Sequence, residues 1–174
     1  MTTIGDDMAE MTEPRELFMH ELGDILYAER VLVKALPKLE KEATDKELAE
    51  SFRAHQAETE QHVANLEKAF GELGEKVKAE KCPGIDGIKQ EHDEFVNEQA
   101  PSRAVLDAFL TGAGARTEHY EIAAYECLIA SAEAMGEDKV AELLSHNLGQ
   151  EKEALQKMKK IGKRLTRDSA ALAR

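Results

Sequence analysis

The chain has no tryptophan, two cysteines, four prolines and no apolar run long enough to cross a bilayer. Each shortage removes a class of protein. Cys82 and Cys127 stand far apart with no metal-type spacing, so two free thiols are expected. Without about 20 consecutive apolar residues, no transmembrane helix is expected. The first residues, Met1-Thr2-Thr3-Ile4-Gly5-Asp6-Asp7, lack a basic segment followed by an apolar one, so no secretory leader is read and the expected location is cytoplasmic. Positive charge is also short. Lys and Arg number 23 against 35 Asp and Glu, a net charge of -12, and such a surface repels nucleic acid and anionic lipid.

What is abundant is Ala, Glu, Leu and Lys, the composition of a helical protein, and 174 residues suit one domain with a sizeable core. Residues 1–11 read as a flexible tail. Pro14 opens the first helix, whose seam is Phe18, Leu22, Ile25, Glu29, Leu32, Leu36 and Leu39, with Pro37 placed to kink its last turn. Thr44 and Glu47 match a capping box for the second helix, with seam Leu48, Phe52, His55, Glu58, His62, Leu66 and Ala69, ending at Gly71 or Gly74. Residues 75–101 form a long connection, with a turn at Lys81-Cys82-Pro83-Gly84 and a short helix over residues 85–97. Ser102 caps the third long helix, with seam Leu106, Leu110, Ala113, Thr117, Glu121, Ala124 and Leu128. After a tight turn at Gly136, the fourth carries Val140, Leu144, Leu148, Glu151, Leu155, Met158 and Ile161. Its basic end, Lys157 to Arg164, opposes the negative end of the helix dipole. Residues 167–174 read as a second flexible tail, leaving one domain over residues 12–166. Two short-looped hairpins joined by one long crossover predict an all-α, ferritin-like four-helix bundle.

Each long seam holds one glutamate where a leucine belongs: Glu29, Glu58, Glu121 and Glu151. A carboxylate on a core face is costly unless a cation, a proton or hydrogen-bond donors satisfy it. Counted from Ala43, Glu29 and Glu58 stand about 14 and 15 residues away, and Glu121 and Glu151 each about 15 from Gly136, so each pair is level within a turn. With the hairpin turns at opposite ends, all four meet near mid-height. Ionised together they would raise one another's pKa, and two divalent cations are the economical remedy. Carboxylate with imidazole suits iron, manganese or zinc. His55 and Glu118 lie one layer from the glutamates, as ligands or as hydrogen-bond supports. His62 falls level with Asp24, which predicts a contact between those two. His20, His92, His119 and His146 receive no functional reading. Tyr27 and Tyr125 lie close enough to Glu29 and Glu121 to hydrogen-bond or carry a radical, though packing with a wet hydroxyl is the simpler expectation.

His55-Gln56-Ala57-Glu58-Thr59, Glu118-His119-Tyr120-Glu121-Ile122-Ala123-Ala124-Tyr125, Ala28-Glu29 and Glu151-Lys152 resemble the corresponding stretches of the YciE/YciF-type bacterial stress proteins, over roughly residues 17–165. The resemblance implies a cytoplasmic homodimer of ferritin-like bundles with a di-metal centre, a role in stress, and ferroxidase-like activity. The wider ferritin-like pattern has Glu-x-x-His on two helices. Here the second helix reverses it, as His55-x-x-Glu58 with His62 further on, and Ala154 stands where a histidine would follow Glu151. The expected centre is two cations bridged by Glu58 and Glu151, with Glu29 and Glu121 as end ligands and dioxygen or peroxide as the small oxidant. Manganese-catalase-like chemistry and a non-enzymatic, stress-induced metal-binding or structural bundle are the competing expectations.

Overall fold

A computed structural model describes residues 11–172, with side chains through residue 168. Residues 1–10, most of the expected N-terminal tail, lie outside the described residues. Five helices follow in order: α1 (Pro14–Glu42), α2 (Lys46–Glu72), α3 (Pro83–Gln99), α4 (Arg103–Ala134) and α5 (Asp138–Leu172), and no strand occurs among the described residues.

Local chemistry sets most of the helix ends. The Glu16 carboxylate accepts from the free N–H groups of Thr12 and Glu13 at 2.9 Å, and Pro14 needs no partner for an N–H it lacks. α2 is capped by Asp45 rather than Thr44: Asp45 accepts from Leu48 N at 3.0 Å. Thr44 is engaged elsewhere, donating its N–H (2.8 Å) and hydroxyl (2.6 Å) to Asp107. α2 and α4 both end in a left-handed glycine, Gly74 (φ 71°) and Gly136 (φ 75°), with the Glu75 and Glu137 N–H groups returning to Phe70 and Ala132. Cys82 caps α3 through its sulfur, 3.4 Å from Ile85 N, and Ser102 caps α4.

Three expectations about helix ends change. α3 begins at Pro83, inside the stretch of residues 81–84 expected to be a turn, and runs to Gln99. α5 continues to Leu172, beyond residue 166, so the basic cluster lies within the helix and not at its end. Arg164 pairs there with Asp45 at 2.7 Å and Glu47 at 3.1 Å, tying α5 to the first turn of α2.

The long helices pack in a ring, α1 on α2, α2 on α5, α5 on α4 and α4 on α1. Contacts fix their directions. Arg15 meets Glu137 and Thr44 meets Asp107, so α1 and α4 are antiparallel; Asn65 meets Asn147 and Asp45 meets Arg164, so α2 and α5 are too. The order is therefore up, down, down, up, with the two hairpin turns at opposite ends. α3 carries the chain back along the outside, with Asp86 on Tyr27 and His92 on Glu42. The approach to α3 crosses α1 so closely that Glu80 N donates to Gly23 O, and a Cβ on Gly23 would stand 2.8 Å from the Lys78 carbonyl. The core is one cluster of aliphatic and aromatic side chains filling both halves of the bundle, and polar residues interrupt it at mid-height.

Candidate metal centre

The interruption is built from all four long helices. Glu29 (α1), His62 (α2), Glu121 (α4) and Glu151 (α5) are 0% exposed, with His55 at 6% and Glu118 at 4%. On α2, His55 and His62 are seven positions apart, two turns along one face. On α4, Glu118 and Glu121 are neighbours at i, i+3.

Two groups of donor atoms result. His55, Glu118, Glu121 and Glu151 each place one within 4.8 Å of the others, and so do Glu29, His62 and Glu151. Glu151 belongs to both. Its Oε1 lies 2.8 Å from His62 Nδ1 and its Oε2 3.6 Å from His55 Nε2, so one carboxylate faces two sites.

Eight buried side-chain atoms among the described residues have no hydrogen-bond partner, and all eight belong to these six residues: Glu29 Oε2, His55 Nε2, His62 Nδ1, Glu118 Oε2, both oxygens of Glu121 and both of Glu151. Buried polar atoms are normally satisfied, so eight exceptions at one depth need a cause. His62 Nδ1 lies 2.8 Å from Glu151 and 3.2 Å from Glu29 yet is not aligned for a hydrogen bond to either. Its other nitrogen, Nε2, is 3.0 Å from Gln150 Oε1; donating there leaves a lone pair on Nδ1 facing the carboxylates. Lone pairs that converge on a common point without a donor among them are what a cation requires.

Charge follows burial. Desolvation, reinforced by the neighbouring carboxylates, pushes Glu118 and Glu121 well above the usual range. Desolvation also raises Glu29, against the pull of His62 and Tyr125. Burial opposes ionisation of Glu151 too, but the Glu118 carboxyl and the nearby His62 and His55 imidazoles outweigh it and hold Glu151 low. Burial would push His62 down, yet Glu151 and Glu29 raise it to about 10. Without a cation the cluster therefore retains protons.

Two expected contacts differ. Glu58 is not on the buried seam of α2: Thr59 is (0% exposed), donating to His55 O at 2.8 Å. The Glu58 side chain, 24% exposed, lies at the edge, where its Oε2 meets His55 Nδ1 at 3.1 Å and Lys157 stands 3.8 Å from its Oε1. The His55 hydrogen bond, opposed by burial and helped by Lys157, keeps Glu58 low, so it acts on the centre through His55. Asp24 does not meet His62. It accepts from Tyr120 at 3.0 Å, because the inner nitrogen of His62 is turned to Glu29 and Glu151.

Tyr125 differs as well. Its hydroxyl is fully buried, donates to Glu29 in a short hydrogen bond and accepts from Asn147 Nδ2 at 3.0 Å. Asn147 and Gln150, both unread in the sequence, hold Tyr125 and His62 in place. A helical count gave Asn147 no signal, since the apolar Leu148 beside it takes the seam position equally well.

An up-down-down-up bundle whose six inward carboxylates and imidazoles meet at mid-height is a ferritin-like protein. Within that class, residues 13–171 match the family described as "Domain of unknown function (DUF892)", and the chain belongs to it. Protein YciF of Escherichia coli (strain K12) is 36% identical over 138 residues, covering 79% of this chain and 82% of its own. The crystal structure of that stress protein, YciF, is similar with a TM-score of 0.85 at 32% identity, covering 90% of this chain and 99% of that one. YcfI of Rhodopseudomonas palustris, described as a candidate structural protein, gives a TM-score of 0.85 at 38% identity, covering 87% of this chain and 96% of that one.

Proposed function

We propose that this chain is a di-metal carboxylate protein of the bacterial stress response, working in the cytoplasm as a homodimer. The observation that carries the metal reading is the set of eight unpartnered donors confined to one buried cluster. His55, Glu118 and Glu121 would hold one cation, Glu29 and His62 the other, and Glu151 both. Two such ions, iron in the first instance and manganese or zinc otherwise, supply redox or Lewis-acid chemistry toward dioxygen or peroxide.

The chain's own part is orientation and exclusion of water. Gln150 fixes the His62 ring, Glu58 steadies the His55 ring, and Tyr125 with Asn147 aims the Glu29 carboxylate. The buried leucines, isoleucines and phenylalanines above and below keep bulk water away, so charges in the cluster act at low dielectric.

Two experiments test the proposal. Protein prepared without chelator should carry two metal equivalents by elemental analysis. Anaerobic protein loaded with Fe(II) should develop ferric absorption on exposure to air faster than free Fe(II) in the same buffer. Bound metal with no gain in rate would assign a binding or structural role, the reading that the description of YcfI supports. No stoichiometric metal at all would remove the proposal.

A further inference from the structure

The bundle leaves a gap beside α3. That helix packs mainly on α4 and less on α1. Between them lies a cavity of about 440 Å3 whose walls are largely apolar, with Leu32 and Leu36 of α1, Ile85 and Ile88 of α3, and Leu110 of α4 among them. Its deep end is His55, Thr117 and Glu118, so it reaches one side of the buried donor cluster. Its outer end carries three exposed lysines, Lys34, Lys38 and Lys89, with Asp86 and Asp93.

Size and polarity limit what such a bore admits. Dioxygen or peroxide needs only a fraction of this volume, which falls within the ~300–1,000 Å3 range of sites that enclose organic molecules. A hydrated cation would have to shed water against apolar walls, so the bore is not a route for metal. The charges at the mouth are unequal. Lys38 and Lys89 both pair with Asp93, at 3.0 and 2.7 Å, Lys38 also lies 3.6 Å from Glu42, and Asp86 accepts from Tyr27 at 3.0 Å. Among the described residues Lys34 has no acidic partner. In a chain with a net charge of -12, an anion has few places to settle, and the unpaired Lys34 on this rim is one.

We propose that the cavity binds a medium-chain fatty acid, its carboxylate at Lys34 and its tail directed toward His55 and Glu118. Ten carbons, each taking about a water's ~30 Å3 share, fill ~300 Å3 and leave the bore neither strained nor empty. The carboxylate end lies away from the donor cluster, of which only His55 and Glu118 border the inner end of the bore, and binding does not depend on a metal being there.

The test is calorimetric titration of decanoate into the full chain, metal-free and Zn(II)-loaded, with decanol and decyltrimethylammonium as comparisons. Decanoate should bind one to one and more tightly than either. Lys34→Glu should weaken decanoate at least tenfold while decanol is unchanged. Ala35→Phe, which fills the bore from a half-buried position, should weaken decanoate and decanol alike at least tenfold in a variant that keeps its circular dichroism and cooperative melt. Undiminished decanoate binding in that folded variant overturns the proposal, as does equal binding of decanoate and decanol with no response to Lys34→Glu. A dimer interface that covers the bore and excludes decanoate at all concentrations overturns it too. Intact Zn(II) uptake without decanoate binding refutes the cavity inference alone, whereas decanoate binding in a chain that takes up no metal refutes the di-metal reading alone.

Discussion

Glu151 is the single side chain shared by the two donor groups, with one oxygen toward each imidazole. Removing it should therefore do more than removing any other carboxylate. Glu151→Ala is expected to lose both metal equivalents, Glu29→Ala or Glu121→Ala one each, and Glu58→Ala neither; elemental analysis after gel filtration distinguishes these. Glu121 offers a second measurement, because both its oxygens are buried and unpartnered. Glu121→Leu exchanges an unsatisfied carboxyl for a packed side chain. It should abolish the second equivalent yet stabilise the metal-free fold by about 1–4 kcal/mol in urea titration. A destabilised leucine variant would mean that the carboxyl is satisfied in solution. At this scale the sequence was only partly legible. That glutamates occupy the seams of α1, α4 and α5 could be read directly, but steps of three and four residues fit a helical stripe equally well. The choices between Glu58 and Thr59, Ala124 and Tyr125, and Leu148 and Asn147 are settled by the facing helix, which a single stripe does not contain.

Among the helices, most depends on where the two hairpins are joined. Asp107, at 4% exposure, accepts from Thr44 N, Thr44 Oγ1 and Asp45 N, fastening the start of α4 to the turn between α1 and α2. Arg15 does the same at the opposite end, donating to Leu73 O at 3.1 Å and pairing with Glu137 at 3.4 Å. Asp107→Ala leaves three donors of a part-exposed turn without their acceptor and should cost about 1–3 kcal/mol, read as a lower urea midpoint with unchanged slope. Arg15→Ala, at a half-exposed position, should cost under about 1 kcal/mol. Helix number, order and the long crossover were legible because local signals set them: Pro14, Gly74, Ser102 and Gly136. The cap of α2 was not. Thr44 and Asp45 are both good caps, and only the arrival of Asp107 from 63 residues away decides between them.

The whole molecule should show an unusual pH profile when stripped of metal. Glu29, Glu118 and Glu121 have folded pKa values raised above the ordinary 4.5, so they bind more protons folded than unfolded. Their stabilisation is present below 4.5 and is lost as pH rises through their folded values. His62, raised from 6.5 to about 10, adds a loss between those two values. Glu151 acts in the opposite sense, since it is lowered and its contribution disappears only as pH falls below 4.5. The melting temperature of metal-free protein should thus fall steadily from about pH 5 to 9, where small domains are usually near their best. Metal should reverse the slope, because it competes with the same protons, and should add about 2.7 kcal/mol per site at a hundredfold excess over Kd. A flat metal-free profile that zinc does not shift would show that the cluster reaches water.

The ring of helices divides the donors evenly, with Glu29, His55 and His62 on the first hairpin and Glu118, Glu121 and Glu151 on the second. That division has a consequence in time. On the ribosome, at about 5–20 residues per second, Glu118 emerges ~3–11 s after His62, and Glu151 later still. A nascent first hairpin offers one carboxylate and two imidazoles and no partner to close around an ion. On the proposed di-metal reading, metal uptake would therefore be open only to a chain that has been translated past Glu151 and has docked its second half.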